Sequence, residues 1–64
     1  MGLEEYFTKA ITIYKGLEKK TEANRREMRE VLRKYQVAKD YGEINTPVQT
    51  RLDNLFYDIR KELS

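Results

Sequence analysis

The sequence predicts an all-α fold in which a long N-terminal helix and a shorter C-terminal helix form a hairpin that pairs with a second copy into a bundle. Three observations carry this. Leu3, Phe7, Ala10, Tyr14, Leu17, Thr21, Asn24, Met28, Val31, Tyr35 and Ala38 follow one another in alternating steps of four and three without a slip, the seam of a helix that packs on other helices. A second apolar stripe, Val48, Leu52, Leu55, Phe56, Ile59 and Leu63, lies beyond a Gly42 stop signal. No strand-like alternation survives this helical period, and no low-complexity segment or repeat interrupts it.

The first helix starts near Leu3, where Glu4 and Glu5 complement the positive end of the helix dipole. Tyr6 and Ile13 on one flank of the seam and Ile11 on the other make its apolar face wide enough to touch two neighbours. Gly16 costs about 1 kcal/mol in a helix interior. Thr21 and Asn24 are the two polar members of the seam, and two architectures follow from how they are read. In a continuous helix from Leu3 to Tyr41, about 58 Å long, they sit at the two-fold axis of a homodimer and set its register. The dimer seam is then Leu3, Phe7, Ala10, Tyr14, Leu17, Thr21 and Asn24. Alternatively the chain breaks at residues 21–24, with Asn24 as N-cap and Glu27 three residues on, and folds as a monomeric three-helix bundle. The unbroken phase and the lack of glycine or proline at the break favour the continuous helix.

Gly42 takes the left-handed capping position after Tyr41, with Lys39 in the last turn. The run Thr46, Pro47, Val48, Gln49 then reads as a capped start: threonine as cap, proline at the first helical position, glutamine closing a capping box. The last helix runs from Pro47 to about Leu63, and Tyr57 points away from its apolar face.

At 64 residues, residues 1–64 form one helical domain. There are no cysteines and no histidines, so disulfides, thiolate chemistry, the commonest zinc ligands and the commonest neutral-pH base are all missing. Carboxylates such as Glu27 and Glu30, or Asp53 and Asp58, stand among basic residues with no apolar pocket implied, so the chain reads as no enzyme, with no cofactor, metal or small-molecule substrate. No apolar run approaches the roughly 20 residues that cross a bilayer. Glu4 and Glu5 stand where a signal peptide carries positive charge, so the expected location is the cytoplasm.

Net charge is +2, but residues 19–39 hold eight cations against Glu22, Glu27 and Glu30, a surplus of five. Arg26, Arg29 and Arg33 fall on one ridge that could lie along phosphates. Glu22 with Arg26, and Glu30 with Lys34, also stand at the stabilising spacing of four, as on an ordinary solvated surface. Of five tyrosines, Tyr14 and Tyr35 on the seam and Tyr6 and Tyr41 beside it are expected to bury their rings with the hydroxyl at the rim. Tyr57 is a possible partner contact. The leading reading is a small regulatory helical protein that self-associates and binds a partner protein as adaptor, inhibitor or assembly factor. The alternative is a small dimeric nucleic-acid-binding protein that uses the Arg26, Arg29 and Arg33 ridge.

Overall fold

A computed structural model describes residues 2–64, and among them the chain forms three helices and no strand. These are α1 (Leu3–Gly16), α2 (Glu22–Asp40) and α3 (Thr46–Leu63). Their lengths of 14, 19 and 18 residues correspond to about 21 to 28 Å, and they pack side by side into a body 33 × 20 × 19 Å.

The expected continuous helix is broken. α1 ends at Gly16, Leu17 turns extended (φ −72°, ψ 129°), and the chain reverses through residues 17–21 before α2 begins. The corner therefore lies earlier than 21–24, and the cap of α2 is Thr21, not Asn24. The Thr21 hydroxyl accepts from the Asn24 backbone N–H at 3.2 Å, and Asn24 Oδ1 accepts from the Thr21 backbone N–H at 3.0 Å and from its hydroxyl at 2.9 Å. The two polar seam residues thus bond to each other and satisfy two backbone donors that a helix start leaves open. Glu27 takes no part in the cap. The physical reason for the break is that folding back buries Phe7, Ile11 and Tyr14 of α1 against α2 and α3 of the same chain, while a lone straight helix leaves them in water.

At the other corner Gly42 adopts φ 69° as expected. Its N–H donates to Lys39 O, and the Glu43 N–H to Ala38 O, both at 3.0 Å. This pair of bonds closes α2 with a Schellman motif. The start of α3 lies one residue earlier than the sequence suggests. Asn45 is the cap, accepting from the Val48 N–H at 3.2 Å, and Thr46 is the first helical residue, followed by Pro47. Asparagine outcompetes threonine because its side chain reaches the open N–H from an extended backbone (φ −71°, ψ 159°). Gln49, expected to close a capping box, instead donates from Nε2 to Ile44 O at 2.7 Å. That bond and the burial of Ile44 fasten the loop to the bundle.

The core takes Phe7, Ile11 and Tyr14 from α1, Met28, Tyr35 and Ala38 from α2, and Leu52, Phe56 and Ile59 from α3. One aromatic ring from each helix meets at the centre: Phe7 to Tyr35 at 5.3 Å, Phe7 to Phe56 at 6.4 Å and Tyr35 to Phe56 at 4.9 Å between centroids. The first two pairs are edge-on, the arrangement the ring quadrupoles favour. Tyr14 and Tyr35 are buried as expected, but Tyr41 is 78% exposed, because the chain leaves the bundle at the C-cap of α2 before its ring can turn inward. Across the helices Arg51 reaches Glu4 at 2.6 Å and Thr8 Oγ1 at 3.0 Å, and Tyr14 donates to Glu62 at 3.1 Å. No buried side-chain polar atom among the described residues lacks a partner.

Phe56→Ala should cost about 3–5 kcal/mol, against a total stability for this length of about 3–10 kcal/mol. Urea unfolding followed by circular dichroism should find the midpoint of the variant displaced to much lower denaturant. Thr21→Ala should cost only about 1 kcal/mol through loss of the cap, and a larger loss would mean that the corner does more than cap.

Candidate interaction surface

α1 carries two apolar stripes that face different ways. Phe7, Ile11 and Tyr14 point into the core. Leu3, Tyr6, Ala10, Ile13 and Leu17, again at steps of three and four, line a groove between α1 and α2 on the side away from α3. α2 supplies the other wall with Asn24, Glu27, Val31, Lys34 and Val37. Ile13 is 57% exposed and Val37 45%. Tyr6 lies half-buried in the middle, edge-on to Phe7 at 5.1 Å, with Lys34 Nζ 5.9 Å from its centroid. The ammonium stands over the ring face, within reach of a cation–π interaction. Lys9 and Arg26 stand on the rim beside Glu27 and Glu30. The surface is an apolar trough with charges of both signs along its edges.

The expected dimer seam is thereby divided among three places. Phe7 and Tyr14 belong to the core of the same chain, Leu3, Ala10 and Leu17 line the groove, and Thr21 and Asn24 form the cap of α2. The arginine ridge is also partly occupied. Arg29 Nη1 lies 3.3 Å from Glu22 and Arg33 Nη2 lies 2.7 Å from Glu30. Glu22 reaches Arg25 at 3.6 Å as well. The pairs expected at spacing four, Glu22 with Arg26 and Glu30 with Lys34, are replaced by these, since residues three and seven apart are also neighbours on the helix surface. Tyr57 is 59% exposed on α3, with Lys61 Nζ 5.0 Å from its ring, and is far from the groove in sequence and element.

The most strongly perturbed titrating groups lie on the other side, between α2 and α3. The Tyr35 hydroxyl donates to Asp53 Oδ1 at 2.7 Å, with Gln49 O 3.1 Å away, and Lys39 Nζ meets the same carboxylate oxygen at 3.2 Å while lying 4.7 Å from the Tyr35 ring centroid. Burial, and then the bond to Asp53 and its negative charge, push the Tyr35 phenol well above its ordinary value. Partial burial raises Asp53, but the bonds from Tyr35 and Lys39 and the charges of Lys39 and Arg60 outweigh it, and the carboxyl is lowered. Tyr14 is raised by burial and by its bond to Glu62. Sequence spacing does not reveal the Tyr35, Asp53 and Lys39 contact, because it pairs two helices across a corner. These groups hold one another through the shared Asp53 carboxylate. Among the described residues no three acidic side chains gather where a metal ion would sit, and no helix is long and apolar enough to cross a membrane.

No family model, curated protein or solved structure matches the chain. Its functional reading rests on the surface alone.

Because Asp53 is lowered in the folded state, its stabilising share is complete above the ordinary carboxylate value, near pH 4, and is lost as pH falls through the folded value. Asp53→Asn should therefore lower the melting temperature at neutral pH, and the gap from the unsubstituted protein should close on acidification. Thermal melts at a series of pH values measure it. A gap that is independent of pH would exclude the carboxylate charge as its source. Tyr35 has the opposite sign: stability falls as pH rises above about 10, because the unfolded chain ionises first.

Proposed function

We propose that this chain is a small non-enzymatic interaction module that self-associates and takes up an amphipathic helix of a partner protein in its α1–α2 groove, acting as adaptor, inhibitor or assembly factor. One observation carries the reading: Leu3, Ile13 and Val37, three of the five large apolar side chains left exposed among the described residues, line adjoining depressions along the α1–α2 boundary, Ile13 in one and Leu3 with Val37 in the next. A trough between adjacent helices fits a further helix, which reads it through anchors at spacings of three, four and seven. The stripe Leu3, Tyr6, Ala10, Ile13 and Leu17 repeats at that spacing and would let the incoming helix complete a four-helix bundle. The mixed charges of the rim, Lys9, Arg26 and Lys34 with Glu27, would set its direction and register.

The phosphate-binding reading draws less from the geometry, since Arg29 and Arg33 each meet a glutamate already. Steeply salt-dependent binding to mixed-sequence duplex in fluorescence anisotropy, lost in Arg26→Glu with Arg29→Glu, would put it first.

Ile13→Glu combined with Val37→Glu tests the groove. Both positions are exposed, so the pair should change stability by no more than about 1 kcal/mol, while affinity for a helical partner recovered with the unsubstituted protein as bait should fall at least about tenfold. Tyr57→Ala should leave that affinity unchanged. Equal binding by the groove variant, measured by titration calorimetry, would remove the α1–α2 face as the docking site.

A further inference from the structure

The corner between α1 and α2 is made of residues suited to a helix. Leu17, Glu18, Lys19 and Lys20 are good helix formers, and residues 17–21 contain neither glycine nor proline. Its ends need no special backbone: φ is −72° at Leu17 and −77° at Thr21. The seam also runs through the corner in unbroken phase, from Tyr14 and Leu17 to Thr21, Asn24 and Met28. A helix carried straight through would keep the core stripes of α1 and α2 on one line. The α2–α3 corner differs on every count, with left-handed Gly42, a Schellman closure, a buried Ile44 and Pro47 just beyond.

We infer that Leu17–Thr21 is a hinge that straightens, so that two copies exchange α1 and form an antiparallel dimer whose long helices cross at Thr21 and Asn24. This deepens the self-association proposed above and rests on it. Every contact of α1 is made again across the chains, including Phe7 with Tyr35 and Phe56, and Glu4 with Arg51. The exchanged form gains helix over residues 17–21 and brings together the hinge ends of two bundles, where Leu17 and Leu63 are only half-buried. It loses the Thr21–Asn24 cap. Gly16 in a helix interior and like charges at spacing four, Glu18 with Glu22 and Lys15 with Lys19, oppose straightening. The balance makes exchange depend on concentration and leaves the folded-back chain as the dilute form.

The chain has no cysteine of its own, so labels can be placed cleanly. Glu4→Cys and Arg51→Cys chains are mixed, unfolded together, refolded at high concentration, separated by size and treated with a short bis-maleimide. Exchange puts position 4 of one chain beside position 51 of the other, so the dimer fraction should yield a covalent heterodimer. Gly16→Ala, where an added Cβ meets nothing within 4 Å, should raise the dimer association constant about tenfold. Glu18→Gly with Lys19→Gly should lower it at least about tenfold. Absence of a dimer in all three backgrounds, a dimer without the cross-link, or an association constant that ignores these glycine changes would each overturn the hinge. A dimer without the cross-link that dissociates in Ile13→Glu with Val37→Glu would keep self-association through the groove while removing exchange.

Discussion

The bundle depends on three aromatic rings, one from each helix, that meet at its centre. Phe7, Tyr35 and Phe56 are all essentially inaccessible to water, and each touches the other two. A chain this short buries too little surface to tolerate a loose centre. Large flat rings give the most buried area for the fewest rotatable bonds, and edge-on contacts fix how the helices roll against one another. Tyr35 adds a polar anchor, because its hydroxyl emerges between α2 and α3 and is held by Asp53. The same ring thus sets the depth of packing and the rotation of α2 about its axis. That rotation turns Val31 and Val37 toward the groove, so the outer surface inherits its shape from the core.

Helix content, the position of Gly42 and the core face of α3 were legible from period and capping chemistry, because those signals are local, whereas α1 rolls so that Ile11 from the flank replaces Leu3, Ala10 and Leu17 of the seam in the core. Phe7, Tyr14, Met28, Tyr35, Leu52, Phe56 and Ile59 stand at the expected phase and are buried. The path of the chain at residues 17–21 was not legible. Gly16, the last residue of α1, is the one backbone mark of this corner, and it is weak because its φ is not positive; Thr21 and Asn24 can serve equally as a polar layer or as a reciprocal cap. One-residue errors at Asn45 and Thr46 arise because neighbouring cap formers compete, and only three-dimensional reach decides between them. The groove was half visible: Tyr6 and Ile13 widened the face of α1, but Val37 gave no sign, since its place on the wall depends on how α2 rolls.

Charge and apolar surface are separated by side. The α2–α3 boundary carries the network of Tyr35, Lys39 and Asp53, while the α1–α2 boundary is left apolar at its floor and charged only at its edges. Exposed ion pairs such as Arg33 with Glu30 add little stability individually. Their effect here is to neutralise part of the basic ridge, since Arg29 and Arg33 each meet a glutamate.

The two corners differ in how firmly they are tied, and this divides the molecule into parts of unequal cohesion. Between α2 and α3, Gly42, Ile44, Asn45 and Gln49 lock a turn into the body, and Lys39 with Asp53 braces it from the side. Between α1 and α2, a solvent-exposed cap is the main fastening. The corner at residues 17–21 is therefore where the backbone opens locally, while α1 itself is held by Phe7, Ile11 and Tyr14 in the core and by Arg51 with Glu4 and Tyr14 with Glu62. Amide protons at residues 17–21 should exchange through that local opening, while those in the middle of all three helices wait for the whole bundle to come apart.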